Sequence, residues 1–292
     1  MIPKEILQKV RRIEIKTQSI VDAMLSGEYH SVFKGRGMEF SEVRNYTDGD
    51  DIRVIDWNVT ARMGEPFVKQ HVEERELTVM LVVDASASGM FGSFEKMKAE
   101  TAVELCAVLA FSAIKNNDRV GLLIFTSEVE RFIPPKKGKN HVLRVIRELL
   151  YFKPKNSGTN IQEAIKYLNR IQRKKSVVFL VSDFIDSGYQ SSLRIASKRH
   201  DLIAISLTDP RELEIPNVGL LELEDHETGE RMLVDSGSKK FREQYKQEAL
   251  SRRKQTSSFF KSIRVDEVPV STGGDYVEPL IRFFRKREKA FS

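Results

Sequence analysis

Cysteine is almost missing from this sequence: Cys106 is the only one in 292 residues, so no intramolecular disulfide can form. It lies in the apolar helical stretch Val103 to Leu109, where a buried, inert thiol is the default. Long hydrophobic runs are missing too. No window approaches the roughly 18 apolar residues that a membrane span needs, and the start, Met1-Ile2-Pro3-Lys4-Glu5, has charge but no apolar stretch of signal-peptide length. The expectation is a cytoplasmic protein without a transmembrane segment. Charge of one sign is also lacking, since 48 Lys+Arg stand against 42 Asp+Glu and leave a net +6 spread through both signs. The basic clusters (Lys136, Lys137, Lys139; Arg252, Arg253, Lys254; Arg285, Lys286, Arg287) are short and form no stripe with interleaved aromatics, so nucleic acid is not expected as a partner.

Several chemistries drop out for want of their residues. The five histidines (His30, His71, His141, His200, His226) are scattered without HxxxH spacing, which argues against zinc. There is no G-x-S-x-G elbow and no G-x-x-x-x-G-K-[ST] loop. Gly35-Arg36-Gly37 lacks the third glycine of a dinucleotide loop and follows no buried strand. An Asp84 phosphoryl carrier would need an acid two residues on, where Ser86 stands.

What is present suits one substantial α/β core: 40% of residues are hydrophobic, enough to fill it. Residues 4–25 place Ile6, Leu7, Val10, Ile13, Ile20, Val21, Met24 and Leu25 mostly at helical spacing. From Gly27 to Glu76 the periodicity fails, and a loop-rich or short-strand segment is expected. Residues 1–76 therefore read as an N-terminal extension packed on a main domain over 77–292. That domain opens with Leu77-Thr78-Val79-Met80-Leu81-Val82-Val83, a run fit for burial on both faces. Further strands are expected at 119–125, 129–133 (an antiparallel edge strand stopped by Pro134-Pro135), 176–181, 202–207 and about 263–270. Helices are expected near 94–115, 139–150, 160–173, 189–198, 238–261 and 275–289. The alternation predicts a doubly wound, mainly parallel sheet with helices on both faces. Residues 218–234, with Glu227-Thr228-Gly229-Glu230 between two apolar runs, read as an inserted β-hairpin. Pro279, Leu280, Phe283 and Phe284 describe a helix packed on the sheet with its bases in water.

The chemistry is concentrated where the first buried strand runs out. In Asp84-Ala85-Ser86-Ala87-Ser88, alternate side chains of an extended segment point the same way and bring three oxygen donors to one spot. Thr159, at the opening of a helix, and Asp183, closing the strand that ends at Val181, can join them at the carboxyl edge of the sheet, where such folds bind ligands. Hydroxyl and carboxylate oxygens suit Mg²⁺ or Mn²⁺. Neutral donors leave the ion electron-poor, so a partner's acidic side chain is an attractive further ligand. The plainer alternative is that Ser86 and Ser88 cap a following turn.

Asp84, Ser86, Ser88, Thr159 and Asp183 together resemble the metal-ion-dependent adhesion site of von Willebrand factor A domains. The upstream stretches His30 to Arg44, Gly49 to Trp57 and Thr60-Ala61-Arg62 resemble the bacterial domain of unknown function 58 family, and the likeness spans roughly residues 20–285. Gly89 stands where many relatives have Met. The resemblance implies a von Willebrand factor A-like fold and a partner among MoxR-type AAA+ ATPases; many relatives carry N-terminal membrane helices that this sequence lacks. The expected function is a metal-dependent protein-binding adaptor without turnover; the competing expectation is a metal-dependent hydrolase or phosphatase at the same site. In the upstream segment, Asp50, Asp51, Arg53, Asp56 and Arg62 are expected to form an ion-pair network fastening it to the sheet, with Trp57 as apolar anchor.

Overall fold

A computed structural model describes residues 4–22, 29, 32–33, 43–47, 49–69, 76–87, 97–224 and 231–291. Helix α1 spans Lys4–Ile20; strands β1 (Val43–Asn45) and β2 (Phe67–Lys69) pair antiparallel around helix α2 (Trp57–Met63). The main domain runs β3 (Thr78–Asp84), α3 (Lys98–Lys115), β4 (Arg119–Phe125), β5 (Val129–Lys136), α4 (Lys139–Leu150), α5 (Ile161–Ile171), β6 (Val177–Ser182), α6 (Gln190–Arg199) and β7 (Asp201–Thr208). It continues through the short α7 (Pro210–Leu213), β8 (Leu220–Glu224), β9 (Arg231–Asp235), α8 (Lys239–Ser262), β10 (Asp266–Ser271) and α9 (Val277–Phe291).

Six strands form the central sheet in the order β10-β7-β6-β3-β4-β5, all parallel except β5. This is the expected doubly wound α/β architecture. Chain order reverses between β3 and β6, so the crevice beyond their carboxyl ends is the topological switch point at which such sheets take ligands. Burial on both faces explains the continuous apolar strands. Val79, Leu81, Val83, Phe179 and Ile205 face one layer, with α3, α4 and α9, while Met80, Val82, Leu180 and Ala204 face the other, with α5, α6 and the end of α8. Gly121 of β4 is required by close approach: a Cβ there would lie 2.6 Å from Met80 Sδ and 3.2 Å from the Ile133 carbonyl oxygen.

Helix α1 lies against α3 and α4, burying Val10 and Thr17, with Lys16 paired to Glu104 at 2.8 Å and Lys139 to Glu14 at 2.5 Å. β8 and β9 form the expected hairpin; residues 225–230, its turn, lie outside the described residues. Leu280 and Phe284 are fully buried, as expected for a packed C-terminal helix, but Arg287 is not in open water: it binds Asp201 and Asp266 and lies over Phe33 and Phe283. Cys106 is buried, and burial pushes its thiol up to about 12.

Three expectations need correction. β5 does not stop at Pro134-Pro135 but continues to Lys136, because an edge strand with register shifts in its pairing tolerates residues without an N–H. Trp57 is no anchor, being 68% exposed at the start of α2. The acids around it form local caps and a local pair where an ion-pair network to the sheet was expected. Asp51 accepts from Arg53 N–H, Asp56 accepts from the N–H groups of Asn58 and Val59, and Asp50 pairs with the nearby Arg44 at 2.6 Å. Gly35-Arg36-Gly37 lies outside the described residues.

Candidate functional site

The site grows out of two neighbouring strand ends. β3 delivers Asp84 as its last residue, and β6, paired in parallel beside it, ends at Ser182. Ser182 Oγ donates to Asp84 Oδ2 at 2.7 Å and accepts the Phe184 N–H at 3.0 Å. Asp84 Oδ1 accepts the Ser86 N–H at 3.0 Å, which folds the chain into a tight turn after the strand, and the Ser86 side chain is buried against it. Asp183 follows directly, its side chain 4% exposed. Phe184, the next residue, holds a left-handed backbone (φ 58°), an uncommon conformation for a bulky side chain and one that concentrates at functional sites.

Three tethers draw the Thr159 loop to the carboxyl ends of β3, β4 and β6. The Ala87 N–H donates to the Ser157 carbonyl (2.9 Å), the Asn160 N–H to the Thr126 carbonyl (2.9 Å), and the Ile161 N–H to Asp186 Oδ2 (2.8 Å). Asn160 then caps α5 by accepting the Glu163 N–H, which fixes Thr159 immediately before the helix. Asp84 and Ser86 thus touch, Asp183 adjoins Asp84, and the loop carrying Thr159 is bound to the same edge. Ser88 lies outside the described residues.

Electrostatics distinguish this edge from an ordinary capped turn. The Asp84 carboxyl is raised to about 6, first by burial and next by the negative charge of Asp183, against the lowering effect of bonds from Ser86 and Ser182. Two carboxylates crowded in a poorly solvated place favour an added cation. The donor chemistry fits a hard divalent ion: carboxylate and hydroxyl oxygens, with no group of three or more His, Cys, Asp or Glu that would make a carboxylate cage or zinc site among the described residues.

The sequence reading missed three residues here: Ser182, Lys98 and Glu212. Lys98, first residue of α3, places its ammonium 2.9 Å from Asp183 Oδ2 and also against Glu212 of α7, with only 3% of its side chain exposed. Ser182 had a signal in its place at a strand end; Lys98 and Glu212 had none. Next to Asp183 and Glu212 opens a cavity of about 730 Å³, walled by Phe184 to Gln190, the end of β7 and the Ala249–Phe259 face of α8.

The model of the family described as "Protein of unknown function DUF58" matches residues 42–255, across β1, the switch point and most of α8. The chain belongs to that family. Over 285 residues it is 30% identical to Uncharacterized protein Rv1480 of Mycobacterium tuberculosis, covering 96% of this chain and 89% of that one. It is also 28% identical over 109 residues to Uncharacterized protein YeaD of Bacillus subtilis, covering 37% and 25%. Among solved structures, the conserved hypothetical protein BatB of Bacteroides thetaiotaomicron superposes with TM-score 0.50 at 18% identity, over 73% of this chain and 99% of that one. An aerotolerance-related membrane protein of Bacteroides fragilis gives 0.50 at 16% with the same coverage. At these identities the likeness is one of α/β fold alone. Among its described residues no helix is long and apolar enough to cross a membrane.

Proposed function

We propose that this protein is a metal-dependent protein-binding adaptor whose switch-point edge holds Mg²⁺ or Mn²⁺. The observation that carries the reading is the pairing of Asp84 with Ser86 and Ser182 beside Asp183, at the carboxyl ends of the two strands between which the winding reverses. Asp84, Ser86, Ser88 and Thr159 would hold the ion directly or through water, and Asp183 would hold a coordinated water. A bound ion would act there as a Lewis acid for an incoming oxygen ligand. What the chain itself does is present donors with little formal charge among the direct ligands, which leaves attraction for an acidic side chain of a partner. Ser182 orients Asp84 by donating to it, so that the opposite oxygen stays on the Ser86 turn.

The partner class follows from the family resemblance, which points to a MoxR-type AAA+ ATPase.

The test is calorimetric titration of the full chain with Mg²⁺, followed by capture of a MoxR-type ATPase with and without chelator. Saturable Mg²⁺ binding that disappears in Asp84→Ala, together with chelator-sensitive capture, is the expected result. Mg²⁺ binding that is absent, or unchanged in Asp84→Ala, overturns the reading.

A further inference from the structure

Lys98 stands where a helix least welcomes a cation. As the first residue of α3 it lies at the positive end of the macrodipole, and the residue before it, Met97, makes no side-chain cap. Its side chain is also almost wholly out of water. Its ammonium lies 2.9 Å from Asp183 Oδ2 and also against Glu212, two carboxylates that offset the cost of burying it. The position thus makes sense for its carboxylate partners and not for the helix.

Glu212 is held in an equally committed way. One of its oxygens accepts the Asp209 N–H at 3.0 Å and completes the capping box of α7, and the other faces Lys98. Asp209 in turn accepts from Thr272 Oγ1 at 2.6 Å, which ties the turn to the end of β10. Fully ionised, Asp84, Asp183, Glu212 and Lys98 carry a net charge of −2, which one divalent cation would neutralise. Lys98 is therefore a cation already on a carboxylate that the ion needs, with a second carboxylate beside it fixed in place.

Building on the metal reading above, we propose that Lys98 is an internal competitor for the ion: its ammonium rests on Asp183, gives that carboxylate up when a divalent cation is held, and keeps Glu212 as its remaining partner. Lys98 is in this sense a positioning residue that sets affinity. Glu212 is what makes the exchange affordable, and because Glu212 caps α7, occupancy of the ion site is linked to the Asp209–Glu214 turn at the edge of the cavity.

The experiment is Mg²⁺ titration of four full-length proteins, each first confirmed as folded by its melting transition: wild type, Lys98→Met, Glu212→Gln and Glu267→Gln. Lys98→Met is expected to tighten Mg²⁺ binding by about tenfold, and Glu212→Gln, which leaves Lys98 only Asp183, to weaken it by about tenfold. Glu267 lines the same cavity but binds Ser206 Oγ at 2.9 Å, so Glu267→Gln controls for the loss of one nearby charge and should change the constant little. Binding by Lys98→Met that is equal to or weaker than wild type overturns the proposal, as does an equal weakening by Glu212→Gln and Glu267→Gln. Should Lys98→Met not fold, the contrast between the two glutamate variants decides. Absence of Mg²⁺ binding in the wild type overturns the metal reading itself; binding by wild type with the wrong order among the variants overturns only the role of Lys98.

Discussion

The two ends of the central sheet both bury charge, and they do so differently. At the amino ends, Arg287 reaches Asp201 through two parallel hydrogen bonds of 2.8 and 2.6 Å and Asp266 through a third of 2.7 Å, with Phe33 and Phe283 against its guanidinium. Asp118 accepts the Leu77 N–H and the Tyr29 hydroxyl. Asp201 and Asp266 keep about a third of their side chain in water. At the carboxyl ends, Asp183 is sealed to 4% exposure and crowds Asp84, and a single ammonium is shared between Asp183 and Glu212. The amino end is a finished structural clasp. At the carboxyl end Asp84 and Asp183 crowd each other out of water, a place that a further cation would suit.

If the amino end is structural, Arg287→Ala should give the largest stability loss, about 2–4 kcal/mol in urea denaturation, the lower part of the range reflecting the partial exposure of its acids. A loss below about 1 kcal/mol, typical of surface pairs, would erase the contrast.

Acidification separates the ends next. The folded-state pKa of Asp84, about 6, lies above its ordinary 3.8, so its contribution to stability is full below about 3.8 and is lost as pH rises through 6. Ionised Asp84 thus weakens the metal-free protein at neutral pH. In chelator, Asp84→Asn should be more stable than wild type by up to about 3 kcal/mol at pH 7, with the gain vanishing near pH 4. An unstabilised variant at pH 7 would show that the carboxylate is not crowded.

His200, just before β7 at the amino end, behaves oppositely. It is buried with both ring nitrogens lacking a hydrogen-bond partner, and burial, then Arg199, lowers its pKa below 6.5. A lowered value means that its stability contribution is present above 6.5 and is lost as pH falls below it. Denaturation midpoints of His200→Leu should therefore fall less than those of wild type between pH 7 and 5; parallel pH profiles would contradict this.

The smallest effect is expected outside both ends. Trp57→Ala should change stability by no more than about 0.5 kcal/mol, since the indole is mostly in solvent, and a loss of several kcal/mol would restore the anchor role rejected here.

Much of this could be read from residues in order. Continuous apolar runs such as Val79 to Val83 can hardly be anything but strands buried on both faces, and their alternation with helical spacing leaves few topologies. Asp84, Ser86 and Asp183 were visible because strand ends in such a sheet are where ligands bind. The partners of these groups were hidden: Lys98 and Glu212 lie 114 positions apart and meet only through the fold. Trp57 misled because a lone Trp among charges reads as an anchor, whereas Asp51 and Asp56 spend their side chains on local caps. Pro134-Pro135 misled because the rule that proline ends a strand applies to central strands, and β5 is an edge.

The most direct measurement is anomalous diffraction from crystals of the full chain soaked in Mn²⁺. A single strong peak is expected at the carboxyl ends of β3 and β6, about 2.0–2.2 Å from side-chain oxygens of Asp84 or Ser86, with the Lys98 ammonium withdrawn from Asp183. A saturating soak that leaves this place without a peak, and Lys98 still on Asp183, would contradict it.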